Sequence, residues 1–225
     1  MAISPSIKYV NAAHVKELAS VGFQFFFIQI AAVVIFSTSN IIIIQILNAE
    51  EVTKFNIVFK YFSTVTLGFS MIINPFWTAY TEAYYKNDID WIRRITGKLI
   101  RFWMLMAAGV IIMVAISDYV YFYWIGKDLD IPAALSIFMG IFVIVGTWNN
   151  IYVYFINGIA KIRLQLYLAI AVALFNIPLS IYLVKQFGAM GAVMSSIVCL
   201  LPAAIMIPVQ YRLIIRKRAY GVFNA

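Results

Sequence analysis

The sequence predicts an all-α membrane protein, a bundle of six transmembrane helices with both termini in the cytoplasm. Three observations carry that expectation. The first is composition: 64% of the 225 residues are hydrophobic and 12% charged, with a mean hydropathy of +0.92. Soluble chains carry about a quarter charged residues, and a core of this size could not hide so much apolar surface. The second is length. Six apolar segments, at about 21–47, 57–79, 100–124, 133–158, 165–185 and 189–211, each reach the ~20 helical residues that cross about 30 Å of hydrocarbon. Backbone groups in lipid must be satisfied internally, so the segments are read as helices; barrel strands would be about half as long and would alternate. The third is the charge of the connections. Lys8, Lys16, Lys86, Arg93, Arg94, Lys98, Arg101, Lys161, Arg163, Arg212, Arg216, Lys217 and Arg218 collect on one side of the expected bundle, against Lys54, Lys60, Lys127 and Lys185 on the other. Positive connections stay in the cytoplasm, and an even number of spans returns both ends there.

Residues 1–20 are read as a cytoplasmic lead or linker. They hold Lys8, His14, Lys16 and Glu17 and no short apolar core before a small-residue cleavage site, so no cleavable signal peptide is expected. The bundle occupies 21–211. Segment one carries Gln24, Gln29, Ser37-Thr38-Ser39-Asn40 and Gln45, with Gln29 and Asn40 on one face. An acidic connection with Glu50 and Glu51 leads to segment two. There Thr64, Asn74 and Thr78 fall within about 40° of Lys60 at 100° per residue, and Gly68 and Pro75 permit a bend.

A basic elbow follows over 80–100. Asn87-Asp88 starts a helix with Asp90 in its first turn, where the dipole favours a negative charge. Trp91, Ile92, Ile95 and Leu99 then form an apolar face among Arg93, Arg94, Lys98 and Arg101, the pattern of an interfacial helix. Segment three closes on an aromatic belt at 119–124, and 126–132 turns into segment four. Segment four sets Gly146, Asn150, Tyr154 and Asn157 on one face, continued by Lys161. Segment five sets Gln165, Asn176 and Ser180 on one face, with a kink at Pro178. Gly188, Gly191, Ala192, Ser195 and Ser196 suit close approach of the last two helices. Segment six contains Pro202 and Pro208 and exits into a basic cytoplasmic tail, 212–225.

These features exclude several classes. The net charge is +8, but the cations lie between apolar spans, which points to anionic lipid headgroups rather than nucleic acid. The one cysteine, Cys199, excludes a disulfide framework within the chain. One histidine excludes a His-based metal cluster, no Gly-rich phosphate loop is present, and all nine carboxylates fall in connections or near span ends. No enzyme, metal or cofactor is expected.

The polar residues inside the spans remain. An ionisable group at membrane depth is a functional candidate, which singles out Lys60, with Thr64, Asn74 and Thr78 on its stripe. A lysine one turn inside a span also reaches the headgroups by snorkelling. Asn149, Asn150 and Asn157 serve either as interhelical hydrogen-bonding groups or as a set lining a cavity. Asn176 beside Pro178 is read as a cavity residue or as part of a satisfied kink.

Several stretches resemble one family. Asn157-Gly158-Ile159-Ala160-Lys161-Ile162-Arg163-Leu164-Gln165, Asn176-Ile177-Pro178-Leu179-Ser180 and Phe187-Gly188-Ala189-Met190-Gly191-Ala192 look like bacterial polysaccharide (O-antigen) flippases. So does Asn74-Pro75-Phe76-Trp77 followed by Asn87-Asp88-Ile89-Asp90-Trp91-Ile92. These belong to the multidrug/oligosaccharidyl-lipid/polysaccharide exporter superfamily, and the resemblance covers about 15–215. It implies a transporter of undecaprenyl-pyrophosphate-linked oligosaccharide across the bacterial inner membrane, for O-antigen or capsular polysaccharide assembly.

The family's two six-helix halves rock around a central cavity. This chain resembles the C-terminal half, with 1–20 similar to the linker that follows the sixth helix. A separate N-terminal half, or self-association, is the partner implied; a fragment, a truncated gene or a split protein all fit. In that reading Lys60 meets phosphate, while Asn149, Asn150 and Asn157 meet sugar hydroxyls. The alternatives are a multidrug exporter half, a membrane enzyme of polyprenyl-phosphate sugar chemistry using Glu82, Asp88 and Asp90, and a non-transporting assembly partner.

Overall fold

The computed structural model describes residues 12–126 and 130–224, and every regular element among them is helical. The elements are α1 (Ala12–Ile46), α2 (Ala49–Ile73), α3 (Phe76–Tyr85), α4 (Ile89–Ala115), α5 (Ser117–Ile125), α6 (Ala133–Gly158), α7 (Arg163–Phe187), α8 (Ala189–Ile215) and a 3-10 turn (Gly221–Asn224). Five stretches are long and apolar enough to cross a membrane: Ala49–Tyr85, which joins α2 and α3, then α4, α6, α7 and α8. The expected first span falls within α1, whose Ser37–Ile46 is a shorter apolar stretch. Met71, Leu105, Ile111, Leu174, Phe175 and Ile205 all point outward. In water that surface would drive aggregation; in a bilayer it is the face that lipid covers. These are the properties of a multi-pass membrane protein.

α6 and α8 form the centre. α6 packs against α2, α3, α4 and α8, while α7 lies between α8 and α1. Lipid offers no hydrophobic drive for helices to associate, so close packing and interhelical hydrogen bonds hold the bundle. A run of aromatic rings shows the packing. Trp103 and Trp148 centroids lie 5.0 Å apart, Trp148 and Tyr152 5.2 Å, Tyr152 and Tyr211 5.3 Å, and Tyr211 and Phe155 5.1 Å. Tyr80 of α3 completes the run 5.5 Å from Phe155. The α7–α8 hairpin turns on Gly188, whose φ of +66° and ψ of −153° lie where only glycine is unstrained. One turn later a Cβ on Gly191 would fall 2.3 Å from the Leu183 carbonyl, so the two helices meet backbone to backbone.

The expected boundaries hold for 133–158 and shift elsewhere. Lys8 and residues 127–129, including Lys127, lie outside the described residues. From Ala12 onward the expected linker is helical and continuous with the first span. The elbow's helix is continuous with the third segment. A turn at Lys86–Asp88 ends α3, Asp88 accepts the Trp91 N–H at 3.0 Å as N-cap, and α4 then runs unbroken from the basic stretch into the span.

Segment three ends earlier than expected, at Ala115. The Ser117 hydroxyl bonds back to Val114 O at 2.9 Å, competing with the helical pattern, and α5 starts anew. Of the aromatic belt, Tyr119, Phe122, Tyr123 and Trp124 are exposed, but Tyr121 turns into the core. Its hydroxyl pairs with Ser136 at 2.8 Å, which a lipid-facing position would not provide. The expected basic tail begins as the last turn of α8. Its 3-10 turn folds back, with Gln210 Nε2 donating to Phe223 O at 3.2 Å.

Candidate functional site

A crevice of about 370 Å³ opens between α1, α2, α6, α7 and α8. Its walls are largely apolar, with Phe55 and Phe59 from α2 and Met139 and Phe142 from α6. Polar groups interrupt them. Asn149 and Asn150 come from α6, Asn176 from α7, Thr66 from α2 and Ser196 from α8. No lysine, arginine or carboxylate lines it. Mostly apolar walls with a few converging polar groups mark ligand pockets generally.

The polar groups differ in what they leave available. Thr147 Oγ1 donates to Val143 O at 2.7 Å and Ser196 Oγ to Ala192 O at 3.0 Å, so both hydroxyls turn to their own helices. Asn176, 1% exposed, donates Nδ2 to Ser195 Oγ at a long 3.4 Å. The Asn149 Oδ1 is buried and has no protein partner. A buried amide oxygen left unpaired costs about 1–3 kcal/mol, so Asn149 carries an unused acceptor on the wall of the crevice. The site thus offers neutral amides and hydroxyls. That chemistry suits sugar-like hydroxyls and gives a phosphate no countercharge.

The structure divides the residues that the sequence grouped. Asn149, Asn150 and Asn176 all line the crevice. Lys60, Thr64, Asn74 and Thr78 do not line it and are exposed. On α2 the stripe of Lys60, Thr64 and Asn74 lies about 120° round the helix from Phe55, Phe59 and Thr66 at 100° per residue. The Thr64 and Thr78 hydroxyls bond their own backbone, to Tyr61 O at 2.7 Å and Pro75 O at 3.3 Å. Asn74 takes an interhelical role, its Oδ1 accepting from Tyr154 OH at 2.6 Å. Lys60 has no ion pair among the described residues. Asn157 sits two turns beyond Asn150, and its Oδ1 is buried without a partner.

Thr66 and Ser39 also line the crevice, and the sequence did not single out either as a site residue. Ser39 stood within a polar run, and Thr66 six residues after Lys60. Nothing in their spacing shows that they face α6. Comparison with protein-family models, with curated proteins and with solved structures finds no match to this chain.

Proposed function

We propose that this chain is half of a flippase for lipid-linked oligosaccharide, crossing the bacterial inner membrane six times with both ends in the cytoplasm. The observation that carries the reading is the crevice of uncharged amides and hydroxyls inside an apolar bundle. Sugar hydroxyls lose water on entering the membrane, and buried polar groups without partners cost several kcal/mol. Asn149, Asn150 and Asn176 replace part of that water, and the lipid tail stays in the bilayer.

The Lys60 stripe faces away from the crevice. In this reading it lines the path between this bundle and a second half, where Lys60 meets the diphosphate. A cation at membrane depth is costly against lipid alone, which favours a wet path beside α2. The likeness of 157–165, 176–180 and 187–192 to O-antigen flippases supports the choice of substrate. The apolar walls at Phe55, Phe59, Met139 and Phe142 favour a second reading, half of a multidrug exporter.

The test is complementation in a strain lacking its own O-antigen flippase. We expect surface polysaccharide to return when the chain is expressed with an N-terminal half, and to fall at least tenfold with Lys60→Ala or Asn149→Ala at equal membrane abundance, about 1.4 kcal/mol per tenfold. Rescue by the chain alone would mean that self-association completes the path. No rescue in either arm, with the protein in the membrane and drug tolerance raised instead, would sink the flippase reading in favour of drug export.

A further inference from the structure

Where α3 meets α4 and α8 ends, an open cleft of about 550 Å³ is lined by Asp90 and Arg93 on one side and by Arg216, Lys217 and Arg218 on the other. Four cations face one carboxylate there. That carboxylate neutralises little: Arg93 Nη1 lies 3.6 Å from Asp90 Oδ1, and the two side chains are 56% and 79% exposed, a pairing of small worth. Among the described residues Arg216, Lys217 and Arg218 form no ion pair.

The backbone holds three of the cations at the end of α8. Arg218 N–H donates to Leu213 O at 2.8 Å and Lys217 N–H to Ile214 O at 2.9 Å, the paired bonds of a Schellman cap. The cap puts Lys217 at φ +55°, where glycine is the unstrained choice. A lysine there keeps the strain and adds a charge beside two arginines. The carbonyl end of the α8 dipole favours one nearby cation, but that effect fades beyond the last turn and does not account for four. The first turn of α4 forms the facing wall, where Asp88 and Asp90 already answer its dipole, so the attraction for an anion comes from the cations.

The adjoining surface selects the anion. On α8 the exposed Val198, Leu201, Ile205 and Val209 recur at helical spacing and lead to exposed Arg212 and Arg216. This apolar stripe is about three turns long and ends in cations. An acyl chain lies along such a stripe while its phosphate reaches the arginines; free phosphate uses the charge and leaves the stripe unused. We propose that this cleft binds the phosphate headgroup of an anionic membrane lipid. The inference needs only that the chain sits in a bilayer and is independent of what it transports.

The test uses the purified full chain in detergent, titrated with phosphatidylglycerol or phosphatidylcholine of the same acyl chains and followed by native mass spectrometry and thermal melting. Phosphatidylglycerol should bind about tenfold more tightly, and Arg216→Gln with Arg218→Gln should remove that preference. Lys217→Gly removes a charge while easing the cap, so it should weaken lipid binding with lipid-free melting unchanged or raised. Lys185→Gln, which removes a charge at the opposite end, should bind as wild type does. Millimolar inorganic phosphate should neither displace the lipid nor raise the melting temperature. Equal binding of the two lipids, unchanged binding by the Arg216, Lys217 and Arg218 variants, or stabilisation by inorganic phosphate equal to that by phosphatidylglycerol would each overturn the proposal.

Discussion

Pro208 leaves the Ala204 carbonyl without its helical donor, because proline lacks an N–H and the two residues are four apart. Trp148 of α6 supplies the replacement, its indole N–H lying 3.1 Å from Ala204 O. Ala204 is buried, so no water stands in if the indole is removed. Trp148→Phe should therefore destabilise the bundle by about 2 kcal/mol. In a Pro208→Ala background the helix regains its own donor, and the same substitution should cost about 1 kcal/mol less. Unfolding of all four proteins in micelles measures the difference; strictly additive losses would show that the indole bond carries no weight. The sequence placed Trp148 beside Asn149 and Asn150 but gave no sign that it answers a proline 60 positions later. Asn149 and Asn176 pose the same problem. Both are amides in apolar segments, and only the packed structure shows that Asn176 has a partner in Ser195 while the Asn149 oxygen has none.

At the scale of elements, local chemistry was well marked in the sequence. The bend expected at Pro75 is a full break between α2 and α3, since proline offers no N–H to the Met71 carbonyl and its ring crowds that group. Asp88 caps α4 as its position before an apolar face foretold. The α7–α8 hairpin was legible through Gly188 and Gly191, though spacing alone did not reveal how close the helices come. Gly191→Ala places a methyl 2.3 Å from the Leu183 carbonyl, and backbone cannot step aside as a side chain can. That variant should lose about 3 kcal/mol of stability, read as a lower melting temperature in detergent; an unchanged melt would mean that the hairpin opens freely. The break between α4 and α5 was missed, because a serine hydroxyl bonding back to a carbonyl leaves no periodic trace.

At the scale of the molecule, the arrangement of cations makes a topology prediction. In a Cys199→Ala background, single cysteines replace Lys98 and Arg218 at one end and Tyr123 and Lys185 at the other, all exposed positions. A membrane-impermeant maleimide applied to intact cells should label Tyr123→Cys and Lys185→Cys at once. Lys98→Cys and Arg218→Cys should react only after permeabilisation. Labelling of one residue from each pair would be incompatible with an even number of crossings, and complete reversal would invert the orientation that the positive-inside rule assigns.

Composition and segment length were enough to place the chain among helical membrane proteins, because every residue facing lipid must be apolar and every backbone group must bond within its own helix. Both are local demands written along the chain. Which polar residues meet is a different matter. Lys60, Thr64 and Asn74 share a stripe on α2, and the sequence joined them to Asn149 and Asn150 in one cavity. Packing turns Phe55, Phe59 and Thr66 of α2 toward the crevice and leaves Lys60 on the exposed face of the helix. The basic cleft shows the same division. Arg93 and Arg216–Arg218 each read as topology signals along the chain, and only the tertiary structure gathers them round one space. Periodicity fixes the face of a helix on which a residue lies, but the neighbour that face meets depends on side-chain fit between helices far apart in sequence.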